Sequence, residues 1–310
     1  MALDIASTQL LTYLATHLQA PLASMSPVQA RQAMAELRHL MPAGPGLHQV
    51  EDYELGPEGE RFRARVYKPG ASTGATIVYY HGGGWVLMDV EDFDALGRLL
   101  AQDSGCTVVM VNYRLAPEHP FPAARDDAWH ALLWAESNRQ LLTGRFDSPL
   151  IVAGDSAGAN LAALMAQRAT RLKKPALALQ VLIYPVTQPD LNTPAYLDPT
   201  NAGLLSREDM RWFWDHYLPD VDARRSPEVS PLLAERVDNL PATVMVTAEH
   251  DVLRAEGEQY AERLRAVGVP LQIRNFEGQM HGFFSMPQIL PVSESARQFV
   301  TDAIRSAVEC

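Results

Sequence analysis

The chain has 310 residues, 47% of them apolar and 20% charged, a composition that excludes intrinsic disorder and suits a globular protein large enough to bury a pocket. Its 26 Lys and Arg against 37 Asp and Glu give a formal net charge of -11, which repels nucleic acid and anionic lipid, so neither is expected as a partner. Two cysteines, Cys106 and Cys310, allow neither a disulfide framework nor a thiolate zinc cluster, and no apolar run approaches the ~18 residues of a membrane span. With no signal-like core among the first residues, a cytoplasmic location is expected.

Leu3, Ala6, Leu10, Leu14 and Leu18 recur at helical spacing and predict an amphipathic first helix. A second helix starts at Ser26, with Pro27 in its first turn and Gln29 placed to close a capping box. Ala30, Met34, Leu37 and Met41 form its stripe, and Gly44-Pro45-Gly46 stops it. This pair either packs plainly on a core or covers a site; the residues leave both readings open. Residues 50–55 and 62–66 read as a hairpin joined through Gly56-Pro57-Glu58-Gly59, with Arg61, Arg63 and Arg65 on a solvated face.

From residue 75 the texture changes to short apolar runs separated by helical patterns, at 76–80, 107–111, 150–153, 177–184, 244–247 and 271–276. Such runs are strands buried on both faces, so the fold class is α/β with a mostly parallel sheet between helices. Residues 187–219 interrupt the alternation with Pro189, Pro194, Pro199 and an aromatic helix at 206–217. An insertion on the ligand side of such a sheet is placed to act as a lid. Trp212, Phe213 and Trp214 are consecutive and cannot all face one way.

Gly154-Asp155-Ser156-Ala157-Gly158 lies between an apolar strand and a helical segment, the setting of a nucleophile elbow. A serine there needs small residues two before and two after it, and Gly154 and Gly158 meet that need. The hydroxyl is a poor nucleophile until a histidine takes its proton, and that histidine must be oriented by a carboxylate. In this architecture the order is Ser, acid, His. Only His216, His250 and His281 follow Ser156, and His281 stands after the last strand and before the final helix at 293–308. His216 falls in the insertion, and His250 adjoins the acid. The acid is Asp251 at the end of a buried strand, with Glu249 as its rival; the residues alone do not separate them. His81-Gly82-Gly83-Gly84-Trp85 follows the strand at 76–80, and its bare amides suit a developing negative oxygen. Gly83 and Gly84 are the expected donors, joined by Ala157, while His81 braces the loop. Trp85 and Tyr184 are candidate substrate contacts.

The motifs Tyr80-His81-Gly82-Gly83-Gly84-Trp85, the segment 112–123 (NYRLAPEHPFPA), the serine motif, Tyr184-Pro185, Asp251-Val252-Leu253-Arg254 and His281-Gly282-Phe283 together resemble the bacterial hormone-sensitive-lipase-like esterases, family IV of the lipolytic enzymes. The resemblance implies an α/β-hydrolase fold with a helical cap and carboxylesterase activity on short- to medium-chain acyl esters. It places the triad on Ser156, Asp251 and His281, with oxyanion donors Gly83, Gly84 and Ala157, and requires no metal or organic cofactor. The corresponding division is 1–46 for the N-terminal cap helices, 47–186 for the catalytic core, 187–219 for the cap insertion and 220–310 for the rest of the core. The implied partner is a small-molecule ester, and a homodimer is open because dimers occur among such proteins. The chain departs from the family pattern at Ala159, where a second glycine is usual, and at Val252 and Ala255, where proline and aspartate are usual.

Overall fold

The alternation of apolar runs and helical segments resolves into one sheet covered on both faces. The structure, a computed structural model, describes residues 2–18, 20–41 and 43–308; Cys310 lies outside the described residues, and Cys106 is a buried free thiol. The strands are β1 (Gln49–Leu55), β2 (Phe62–Lys68), β3 (Thr76–Tyr80), β4 (Thr107–Asn112), β5 (Leu150–Asp155), β6 (Leu179–Ile183), β7 (Ala242–His250) and β8 (Leu271–Met280). They lie in the order β1-β2-β4-β3-β5-β6-β7-β8. Only the β1–β2 and β2–β4 pairs are antiparallel, so the hairpin is a flap on an otherwise parallel sheet. Strands β3, β5 and β6 are buried along their whole length, which is why they read as continuous apolar runs rather than alternating ones.

The helices are α1 (Ile5–His17), α2 (Pro27–Leu37), α3 (Asp94–Ser104), α4 (Ala123–Ser137), α5 (Arg139–Thr143), α6 (Ala157–Leu172), α7 (Pro194–Leu197), α8 (Arg207–Tyr217), α9 (Arg254–Ala266) and α10 (Val292–Val308). Two apolar cores form, one on each face of the sheet. Leu96 and Leu100 of α3 join Val300 and Ile304 of α10 in one; Leu132 of α4, Leu161 of α6 and Leu264 of α9 fall in the other. The capping box at Ser26 is present, with Ser26 Oγ accepting from the Gln29 amide and Gln29 Oε1 from the Ser26 amide.

Three expectations change. The α2 stripe stops short of Met41, because a 3-10 turn at Arg38–Leu40 takes over where Arg38 reaches Asp89 and Asp92. Strands β7 and β8 run on past residues 247 and 276, pairing as far as His250 with Met280 across an irregularity. The arginine face of β2 is not simply solvated: Arg63 pairs with Asp52 and Glu91, and Arg65 with Asp52, Glu91 and Asp94. Period-2 alternation cannot reveal this, because the acids come from the neighbouring strand, from the loop entering α3 and from the first turn of α3.

The C-terminal ends of parallel strands are where ligands bind an open α/β sheet. The ends of β3, β5, β7 and β8 carry His81, Ser156, Asp251 and His281 respectively. Sheet order thus gathers residues up to 200 positions apart into one place.

Candidate active site

Ser156 sits between β5 and α6 at φ 56°, ψ -120°, a positive-φ backbone rarely adopted by a residue with a side chain. Its neighbours make that turn feasible. A Cβ on Gly154 would overlap the Gly158 carbonyl group, and one on Gly158 would overlap the carbonyl oxygen of Tyr80. The Ser156 amide donates to Ile183 O at 2.8 Å, so the strained turn is tied to β6. Ala159, where the family usually has glycine, packs in the core of α6 and displaces no reacting group.

His281 Nε2 lies 2.9 Å from Ser156 Oγ, and its Nδ1 lies 2.7 Å from Asp251 Oδ2. With Nδ1–H donating to the carboxylate, Nε2 is left as the acceptor of the serine proton. Asp251 is completely buried, and its other oxygen accepts from the Leu253 amide at 2.9 Å, so the carboxylate has a fixed orientation. The rival acid goes elsewhere: Glu249 accepts from the Gly278 amide at 2.7 Å. Residues two apart on an extended strand point to the same face, so strand geometry alone would not separate Glu249 from Asp251; Asp251 lies just beyond β7, where the chain turns, and that turn decides which acid reaches the ring. His250 turns to Thr200 O, and His216 packs edge-on against Trp212; neither meets the serine.

The loop after β3 is built from residues that only glycine permits. Gly83 has φ 102° and Gly84 φ 61°; a side chain on the first would overlap Leu87 O and on the second the ring of Phe213. The Gly83 carbonyl accepts from Val86 and Leu87, closing a tight turn. Among the described residues the amides of Gly83 and Gly84 donate to no protein acceptor, and Ala157 opens α6, where the amide has no intrahelical partner. His81 is buried, with its imidazole at hydrogen-bonding distance (2.7 Å) from Gly82 O and stacked on Tyr113; burial lowers its pKa to about 4, so it is neutral.

Trp85 and Tyr184 are both fully buried. Trp85 stacks on Tyr217 and contacts Trp214, beneath α8, and Tyr184 packs on the His281 imidazole with ring centroids 4.5 Å apart. The three consecutive aromatics of α8 are all buried because they fan onto three partners. Trp212 Nε1 donates to Met25 O, Phe213 lies on Gly84, and Trp214 lies on Trp85. Two buried carboxylates, Asp155 and Glu256, stand beside the site and carry no motif of their own in the sequence. Asp155 is pushed up to about 7 by burial, despite donors from Tyr79 and Gly82. Glu256 is pushed up to about 8 by burial, although the Thr187 and Gln188 amides donate to it. Helical spacing within α9 points Glu256 inward, and that was the only available signal.

The sheet order, the strained serine between strand and helix, and the Ser, acid, His order define an α/β hydrolase. A family model described as alpha/beta hydrolase fold matches residues 77–285. The carboxylic ester hydrolase LipN of Mycobacterium tuberculosis is 39% identical over 288 residues, covering 90% of this chain and 76% of that protein. The ethyl acetate hydrolase of Pseudomonas putida is 35% identical, covering 80% of this chain and 79% of that one. The hyperthermophilic esterase from the archaeon Pyrobaculum calidifontis superposes with a TM-score of 0.92 at 37% identity, covering 99% of this chain and 100% of that one. The chain belongs to the α/β-hydrolase family, in its hormone-sensitive-lipase-like branch.

Proposed function

We propose that the protein is a serine carboxylesterase that hydrolyses short- to medium-chain acyl esters through an acyl-enzyme intermediate. One observation carries this reading: a buried carboxylate, an imidazole and a strained serine hydroxyl in line, at 2.7 and 2.9 Å. Relatives named as carboxylic ester hydrolases and carboxylesterases support the ester as substrate class.

Ser156 Oγ attacks the ester carbonyl carbon as its proton passes to His281 Nε2, and the carbonyl π electrons move onto the oxygen. That oxygen is received by the amides of Gly83, Gly84 and Ala157, each donor worth roughly 10²-fold or more in rate. Asp251 stabilises the imidazolium without taking the proton. Collapse expels the alcohol, which receives the proton from Nε2, and leaves an acyl group on Ser156. Water, deprotonated by the same nitrogen, repeats the sequence and releases the carboxylic acid. No step calls for a metal or organic cofactor.

In this reading residues 1–46 and 187–219 form a cap over the core of 47–186 and 220–310. The hydrogen bond from Trp212 to Met25 and the seat of Phe213 on Gly84 support it. Trp85 and Tyr184, expected as substrate contacts, are fully buried and back the site instead, Trp85 beneath α8 and Tyr184 behind the imidazole. The partner is a small-molecule ester, and none of the described helices is long and apolar enough to cross a membrane. Action in the cytoplasm completes the proposal. The test is Ser156→Ala: hydrolysis of a short p-nitrophenyl ester should vanish with the fold intact by circular dichroism, and near-normal turnover would refute the assignment. An activity series over acyl length then fixes the optimum.

A further inference from the structure

We infer that Asp155 is a positioning residue that sets the oxyanion loop against the nucleophile elbow, a role resting on the ester-hydrolase reading above. The negative oxygen must be met by two amides that follow β3 and one that follows β5. The β3–β5 ladder ends at Tyr80 opposite Gly154, just before both sets of donors. Beyond that point something else must keep the two chain segments in register.

Asp155 supplies the tie. It ends β5, immediately before Ser156, and is almost fully buried. Its Oδ1 accepts from the Gly82 amide at 3.0 Å and from Tyr79 Oη at 2.9 Å. Its Oδ2 fills the space beside Gly82, where an added Cβ would stand 2.5 Å away. One carboxylate therefore touches β3, the first glycine of the loop and the base of the elbow. It fixes the peptide plane that leads into Gly83 and Gly84 while occupying the one loop amide that does not face the substrate. On the other side of the loop Tyr113 Oη donates to His81 O at 2.8 Å, so the loop is held from both flanks. Displacing oxyanion donors by about 1 Å is enough to cost roughly 10²-fold in rate, because the donors must meet the oxygen where charge develops.

The experiment compares Asp155→Ala, Asp155→Ser and Asp155→Asn, all in the full chain and assayed below their melting temperatures on one p-nitrophenyl ester. Loss of the tie should lower kcat about 10²-fold in the Ala and Ser variants with KM within about threefold. The affinity for a trifluoromethyl ketone, which forms the same tetrahedral oxyanion on Ser156, should fall in parallel. Asn keeps an acceptor oxygen at Oδ1 and should return kcat to within about fivefold of the parent. Unchanged kcat in the Ser variant, or a loss that Asn fails to recover, overturns the proposal. If the Ala variant does not fold, the Ser and Asn pair decides. A parent chain that hydrolyses no ester defeats the functional reading itself, whereas an active parent with indifferent Asp155 variants defeats only this inference.

Discussion

Ser156 is held in its reactive turn by what its neighbours lack. Gly158→Ala would drive a methyl group into the Tyr80 carbonyl oxygen, and both atoms belong to fixed backbone. Expression and circular dichroism should therefore find little folded protein, and any folded fraction should have lost at least ~10²-fold in kcat. The acid is tested as directly. Asp251→Asn removes the acceptor that orients His281 and should cut kcat by about four orders of magnitude, while Glu249→Gln should cost less than tenfold, because Glu249 braces Gly278 and does not meet the ring. Steady-state kinetics on the two variants separates the two acids that the sequence left in competition.

At the scale of elements, the N-terminal helices are stapled to the two halves of the site. Asp4 caps α1 by accepting from the Ser7 amide, and also accepts from Gln279 Nε2; its own amide donates to Gly278 O, three residues before His281. Arg31 of α2 donates to Val86 O and Ala116 O and pairs with Glu118, tying α2 to the end of the glycine loop that follows β3. Arg31→Ala should cost about 1–3 kcal/mol in urea unfolding, since it removes charge-assisted bonds to two carbonyls. The α8 helix matters more. Trp214 is completely buried against Trp85, and Trp214→Ala should cost about 3–5 kcal/mol by the same measurement.

At the scale of the whole molecule, buried acids set the pH response. Glu256 has its folded pKa raised by burial from 4.5 to about 8, so between those values the folded chain binds more protons than the unfolded one. Stability from this group is therefore full below about pH 4.5 and lost as pH rises through about 8; Asp155, raised to about 7, acts in the same direction. Thermal melts should show Tm falling between pH 5 and 8.5. Glu256→Gln keeps an oxygen for the Thr187 and Gln188 amides and should flatten that fall, raising Tm most at the alkaline end. A Tm profile as steep as the parent's would show that burial of Glu256 is not the cause.

The sequence by itself determined the layered α/β class, the elbow at Ser156, the glycine loop and the placing of His281 between the last strand and the final helix. Those features are written in local steric needs: glycines where a side chain would collide, and unbroken apolar runs where a strand is covered twice. What only the tertiary structure decided lies between segments. The choice of Asp251 over Glu249 depends on where the chain turns after β7. The ion pairs of Arg63 and Arg65 need acids from β1, from the loop before α3 and from the first turn of α3, and burial of all three α8 aromatics needs surfaces from two separate parts of the chain, Met25 and the Gly84-Trp85 loop. The donors to Asp155 and Glu256 belong there too, because they come from Tyr79, Gly82, Thr187 and Gln188, about 70 residues away along the chain.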